Sequence, residues 1–202
     1  DASTAVLMYR NAYKSIDEIS APEMKLAGLR INPLTNSQSR QTYFFNLRVL
    51  DVRSGKEKKI EGLPTDAKIS NLVWSNNQSM MAFTNTVKDG VELWLLHVEQ
   101  CKVQRLTDAH LNANTGNPFV WAKDDKSLLV TSLVKDRKPL SDSRMATPSG
   151  PVITENDGQK AQNRTYQDLL KNRVDEENFE NLLTSEIIRV GIDGTVSPFR
   201  SK

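Results

Sequence analysis

Between Ala67 and Thr107 apolar runs alternate with turn residues at a spacing that predicts four strands. They are Ala67 to Ser75, Ser79 to Val87, Val91 to Val98 and Lys102 to Thr107, separated by Asn76-Asn77, Asp89-Gly90 and Gln100-Cys101, which favour tight turns. The third strand is apolar on both faces, with Val91, Leu93 and Leu95 on one and Trp94, Leu96 and Val98 on the other. Such a strand belongs in the middle of a sheet covered on both sides. The opening of this unit then recurs. Ile69-Ser70-Asn71-Leu72-Val73-Trp74-Ser75, a turn and Ser79-Met80-Met81-Ala82-Phe83-Thr84 are echoed by Asn117-Pro118-Phe119-Val120-Trp121-Ala122, a turn and Ser127-Leu128-Leu129-Val130-Thr131. The structural repeat carried by Trp74 and Trp121, with a period of about 47 residues, fits the blades of a β-propeller, four-stranded sheets of ~40 to 50 residues each. The expected fold class is all-β: a partial β-propeller of about three four-stranded blades, forming one domain over 1–202.

The second blade occupies about 67–107. The third, about 117–199, begins with Pro118 to Lys123 and Ser127 to Val134, is interrupted by an insertion over about 135–184, and resumes at Ser185 to Ile192. It closes with the hairpin signal Asp193-Gly194 and the run Thr195 to Phe199. The first, about 4–63, takes Thr4 to Tyr9, Phe44 to Val52 and Glu57 to Leu63 as its second, third and fourth strands, around an insertion over about 11–42, and its first strand is missing from the pattern. Both insertions fall between the second and third strands of a blade. The earlier one, with Pro22, Gly28 and Pro33, reads as an ordered loop with one helical turn near Glu23 to Leu26. The later one reads as loop through Pro139, Pro148, Gly150, Pro151 and Gly158, and then as helix. Thr165-Tyr166-Gln167-Asp168 has the capping-box form, with Leu169-Leu170 as an apolar face. Asp175-Glu176-Glu177 place negative charge at the start of a second short helix, whose Phe179, Leu182 and Leu183 at i, i+3 and i+4 face the body of the protein.

Composition narrows the function classes. Lys and Arg number 27 against 25 Asp and Glu, for a formal charge of +2, and no basic stripe with interleaved aromatics occurs, which argues against a nucleic-acid partner. No apolar run approaches the ~18 to 20 residues of a membrane span. Cys101 is the single cysteine and makes no intrachain disulfide. The chain opens at Asp1 with neither Met nor a signal segment, so it is expected to be processed or cut from a longer protein. The two histidines, His97 in a strand and His110 in a connection, accompany no G-x-S-x-G elbow. Zinc sets, acidic calcium ladders and glycine-rich phosphate loops are equally absent, so no catalytic residue, metal ligand or cofactor is expected. Arg137, Arg144, Arg164 and Arg173 in the second insertion could grip carboxylates with their two-pronged guanidinium groups, or be solvated or paired with Asp168, Asp175 and Glu180. Arg144, Arg164 and Tyr166 are the candidate substrate-facing residues.

The segments Leu72-Val73-Trp74-Ser75, Ala82-Phe83-Thr84, Glu92-Leu93-Trp94-Leu95 and Leu106-Thr107 resemble the WD40-like blades of TolB and of the prolyl oligopeptidase family. Longer segments resemble the N-terminal propeller of S9 serine peptidases of the glutamyl endopeptidase branch, akin to dipeptidyl aminopeptidases. These are Tyr13-Lys14-Ser15-Ile16, Gly28-Leu29-Arg30-Ile31-Asn32-Pro33, Gly62-Leu63-Pro64 to Ile69-Ser70-Asn71, Thr147-Pro148-Ser149-Gly150-Pro151-Val152-Ile153 and Arg164-Thr165-Tyr166-Gln167-Asp168-Leu169-Leu170. The resemblance spans Val6 to Phe199. It implies a seven- or eight-bladed propeller covering the active site of a downstream α/β-hydrolase domain and limiting entry to short or unfolded peptides. About three blades and no hydrolase lie within this chain, so no catalytic residue transfers to it. The expected partners are that downstream domain of the same parent protein and peptide substrates, and the expected location is periplasmic or exported, with the cytoplasm as the alternative. Open blade edges predict a homo-dimer or a cap. The alternative is a stand-alone protein-interaction module of the TolB type without hydrolase activity.

Overall fold

In the computed structural model the described residues are 3–141, 158 and 168–199. In chain order the elements are β1 (Thr4–Tyr9), α1 (Ile16–Ile19), β2 (Met24–Leu26), β3 (Leu29–Asn32), β4 (Ser37–Gln38), β5 (Asn46–Asp51), β6 (Lys56–Lys59), β7 (Ile69–Trp74), β8 (Met80–Val87), β9 (Gly90–His97), β10 (Lys102–Arg105), β11 (Phe119–Trp121), β12 (Ser127–Leu133), α2 (Arg173–Leu183), β13 (Ser185–Gly191) and β14 (Val196–Pro198). They form four antiparallel sheets, none of them closed: β1-β5-β6, β10-β9-β8-β7, β11-β12-β13-β14 and, within the first insertion, β2-β3-β4.

The two-faced β9 explains how three of the sheets are held. Leu96 and Val98 join Leu47 and Val49 of the first sheet and Met81 and Phe83 of β8 in one buried cluster, with Trp94 packed at its margin. Val91, Leu93 and Leu95 join Phe119, Leu128, Val130 and Val190 of the third sheet in another. The middle sheet is therefore sandwiched, which is why both faces of its central strand are apolar. Trp74 packs in the cluster shared with the sheet before it, and Trp121 does the same one sheet later. The repeat thus marks the same packing position twice. The Trp121 indole also donates to the Val73 carbonyl at 3.1 Å, and the Asp125 carboxylate accepts from the backbone N–H groups of Asn76 and Asn77, each at 2.8 Å. Gly90 is required at the start of β9, because a Cβ there would lie 2.1 Å from the Ala109 carbonyl oxygen.

The Asp193-Gly194 signal forms the turn between β13 and β14, with Gly194 at φ +85°. Two local expectations fail. Glu23 to Leu26 is no helical turn: β2 is a strand, joined to β3 through Ala27 and Gly28, both at positive φ, the geometry of a tight hairpin. The helical turn of this insertion lies earlier, at α1, where Ser15 and Glu18 form a reciprocal capping box. Likewise Leu169-Leu170 is not helical, since Asp168 sits at φ +56° and the helix starts only after the Asn172 cap. The remaining part of the capping-box motif, Thr165 to Gln167, lies outside the described residues.

Candidate functional site

The chain leaves the first and third sheets at equivalent places, from β1 to β5 and from β12 to β13, and the two insertions meet. Leu26 and Ile31 of the small sheet bury against Leu182 of α2, with Met24, Leu29, Leu140, Leu170, Phe179 and Leu183 packed around them. The face of α2 expected to meet the body of the protein thus meets the other insertion. Polar contacts reinforce this. Arg30 Nη1 donates to Glu23 at 2.8 Å, and Arg30 Nη2 lies 3.2 Å from Asp168. Gly28 N–H donates to the Asp168 carbonyl at 3.3 Å. Arg137 bonds Asn36 on one side and Asn181 on the other. Buried Asn112 and Asn114 both donate to the Leu182 carbonyl, at 2.8 and 2.7 Å, and Asn178 exchanges two hydrogen bonds with Ser141.

Charges in this region are tuned by the same contacts. The Glu23 carboxyl is held below its ordinary range, first by the hydrogen bond from Ser39, against the opposing cost of burial, and then by Arg30. The Arg137 guanidinium is lowered by desolvation. Tyr43 is raised above its ordinary value because burial disfavours the phenolate. It borders a cleft of about 710 Å³ between the first insertion and the middle sheet, together with Lys68, Lys88, Asn85, Glu92 and Trp94. Glu92 at its floor is buried and accepts from Trp94, Asn85 and Arg105, so its charge is internally matched. A second hollow of about 360 Å³ lies beside Arg137, Asn178 and Asn181. The cleft lining combines hydrogen-bond donors and acceptors with the rings of Tyr43 and Trp94, whereas the smaller hollow is lined mostly by polar and charged side chains and has no aromatic ring.

Of the residues predicted to matter, Trp74 and Trp121 are packing residues. Arg144, Arg164, Tyr166 and the Thr147 to Ile153 motif lie outside the described residues. Arg137 joins the contact between insertions, while Arg173 is exposed and pairs with Glu177 at 2.9 Å. His97 is half-buried in β9 and His110 is exposed. Among the described residues no group of His, Cys, Asp or Glu is arranged to hold a metal ion, and no helix is long and apolar enough to cross a membrane. Sequence reasoning missed Tyr43 and the Arg30–Asp168 pair. Neither carries a local signal, because each is defined by a partner distant in the chain.

No protein-family model matches the chain. A probable glutamyl endopeptidase, chloroplastic, of Oryza sativa subsp. japonica is 30% identical over 207 residues, covering 96% of this chain and 22% of that protein. The protein of the same description from Arabidopsis thaliana is 32% identical over 209 residues, covering 95% and 21%. The chain therefore spans about a fifth of the length of the curated relatives it matches. Among solved structures, tricorn protease aligns with 100% of this chain and 18% of its own, at TM-score 0.42 and 10% identity. Pyrococcus horikoshii acylaminoacyl peptidase aligns with 87% and 24%, at TM-score 0.38 and 12% identity.

Proposed function

From the premise that this chain is a relative of the glutamyl endopeptidases, within the S9 serine peptidases, we propose that it forms the opening blades of a propeller that covers the catalytic domain of a larger peptidase. Its role is to gate access of peptides to a hydrolase carried elsewhere in the parent protein. The observation that supports this reading most is the meeting of the two insertions at the same end of the sheet stack, the first of which also borders the 710 Å³ cleft. A gate needs such a structure: side chains held by their own packing, over an opening, on a rigid scaffold. Arg144, Arg164 and Tyr166 belong to the same proposal as the residues that reach toward the peptide. An exported, periplasmic location is proposed with it, to be checked by cell fractionation, although the plant relatives are described as chloroplastic.

Peptide hydrolysis by the parent protein and by this chain alone tests the reading. The parent should cleave short peptides and spare folded proteins, and the chain should cleave neither. Releasing the contact between insertions in the parent with Leu182→Ala should raise cleavage of long polypeptides relative to short ones. Peptidase activity from these residues alone, or unchanged size selection in the released variant, would overturn it.

A further inference from the structure

The β2–β3 hairpin and the second insertion are fastened at one point ahead of α2. Arg30 of β3 divides its guanidinium between carboxylates of the two insertions: Nη1 lies 2.8 Å from Glu23 and Nη2 lies 3.2 Å from Asp168. Those carboxylates are held unequally. Glu23 also accepts from the Ser39 hydroxyl and has Arg40 at 3.6 Å and Lys25 at 4.0 Å. Among the described residues Asp168 pairs with Arg30 alone. Its backbone adds one long bond, from Gly28 N–H to the Asp168 carbonyl at 3.3 Å, and its φ of +56° lies in the left-handed region that disfavours side chains.

Charge makes Asp168 the replaceable member. Lys25, Arg30 and Arg40 outnumber the two carboxylates by one, and by two once Asp168 withdraws, so the cations left behind attract another anion. The pair is not sealed from solvent. The side chains of Arg30 and Asp168 are 23% and 18% exposed, and those of Arg40 and Lys25 stand further out at 69% and 51%. An anion arriving from solvent therefore meets two cations before it reaches Arg30. A carboxylate suits this place best, because the resident anions are carboxylates and guanidinium N–H groups match their planar oxygens.

We propose that Arg30, with Arg40 and Lys25, forms a carboxylate-binding site whose resident occupant is Asp168, and that a carboxylate from outside the chain displaces Asp168 and unfastens this point of contact between the insertions. Asp168 is then an internal competitor, and the apparent affinity for the ligand is the intrinsic one reduced by the fraction of time the site stands open. Leu182 stays packed on Leu26 and Ile31, so the release is confined to the Asp168 end of the contact. The reading of the insertions as a gate supplies only the consequence, that a peptide carboxylate loosens the gate it meets. The binding itself does not depend on that reading.

Titration of the chain with acetyl-alanine, whose carboxylate is terminal, and with the α-amide of acetyl-glutamate, whose carboxylate is on the side chain, tests this against neutral acetyl-alanine amide at matched ionic strength. Gly28 is the reporter, because Asp168 holds its N–H. Either carboxylate at millimolar concentration should speed exchange at Gly28 by about threefold or more and leave Leu93 and Val130 unchanged, and the stronger of the two identifies the source. Asp168→Gly, which suits φ +56° and removes the competitor, should bind the same probe about tenfold more tightly, read from the Arg30 side-chain N–H signal, if the site is occupied by Asp168 nine-tenths of the time. Arg40→Gln with Lys25→Gln, on exposed side chains, should weaken binding severalfold in a hairpin that remains folded. Unchanged exchange at Gly28, or no gain in affinity in Asp168→Gly, overturns the proposal. So does equal acceleration by sodium chloride alone, which would make the contact a screened ion pair without a site. Unchanged size selection in Leu182→Ala would retire the gate and leave this binding untouched, so the two failures are separable.

Discussion

Adjacent leucines in β9 offer the sharpest test of the stacked architecture. Leu95 and Leu96 are both fully buried, yet they belong to different clusters, Leu95 to the one shared with the third sheet and Leu96 to the one shared with the first. Truncating either to Ala removes buried methyl groups and leaves a cavity that close-packed neighbours fill only in part, at a cost of about 2 to 5 kcal/mol. Each single variant should therefore lose a large share of the ~5 to 15 kcal/mol that stabilises a typical domain. The two cavities open on opposite sides of the sheet and share no lining side chains, so the losses should nearly add, and the double variant should be unfolded or close to it without denaturant. Urea titration followed by tryptophan fluorescence and by far-ultraviolet circular dichroism measures this. Val120→Ala, at a position 59% exposed on the outer side of the third sheet, serves as the control and should stay within about 0.5 kcal/mol of the parent. On a sheet with one wet face, one of two neighbouring strand residues must face water. A loss under about 1 kcal/mol for either leucine would therefore refute the sandwich.

The insertions and the titrating groups give further expectations. Leu182→Ala should cost about 2 to 5 kcal/mol locally, seen as faster amide exchange in α2 and β3 with little change at Leu93 or Val130; equal acceleration everywhere would show that the insertions unfold only with the core. The phenol of Tyr43 has a folded pKa above the ordinary value of 10.0, so its contribution is present below that value and lost as pH rises through the folded one. Tyr43→Phe should flatten this alkaline fall in urea stability, and an unchanged fall would place its cause elsewhere. Glu23 has the opposite sign: its folded pKa lies below the ordinary 4.5, so stability present above 4.5 is lost as pH falls through the folded value. Glu23→Gln should remove that share of the acid loss, most visibly in exchange at Leu29 and Ile31. Arg144→Ala with Arg164→Ala in the parent protein should weaken KM for peptides with acidic side chains and leave neutral peptides unaffected; equal effects on both would leave the two arginines as scaffold.

What could be read along the chain was whatever repeats or alternates within a few residues. The strands of the middle sheet, the Trp74 and Trp121 positions and the Asp193-Gly194 hairpin all lie on that scale, and each has a local physical cause in side-chain alternation, a tryptophan position recurring from one sheet to the next, or a turn that needs positive φ. The Ser15-x-x-Glu18 capping box, which marks the true helical turn of the first insertion, is a signal of the same local kind that sequence reasoning missed. Glu23 to Leu26 misled because a short run with a glycine after it fits a turn of helix as well as a hairpin arm, and only the Arg30 and Ser39 partners across the small sheet decide between them.

Leu182 illustrates the harder limit. Its spacing with Phe179 and Leu183 shows that one face of α2 is buried, but a helical stripe names no partner. That partner, Leu26 and Ile31, lies more than a hundred residues earlier and belongs to an insertion leaving a different sheet. The contact becomes available only because the sheets bring their β1-to-β5 and β12-to-β13 connections to one end of the stack. Long-range closure of this kind costs chain entropy that grows only slowly with loop length, so a fold can join distant insertions once a scaffold has brought their roots together. The scaffold is therefore written locally, in alternation and repeat, whereas the candidate gate is written in the complementarity of two segments that are uninformative apart. Variants within one insertion should accordingly be rescued by changes in the other. Leu182→Ala paired with Leu26→Phe, which restores volume from the opposite side, is expected to recover part of the lost protection in α2, and failure of any such pair would mean that each insertion is held by its own sheet alone.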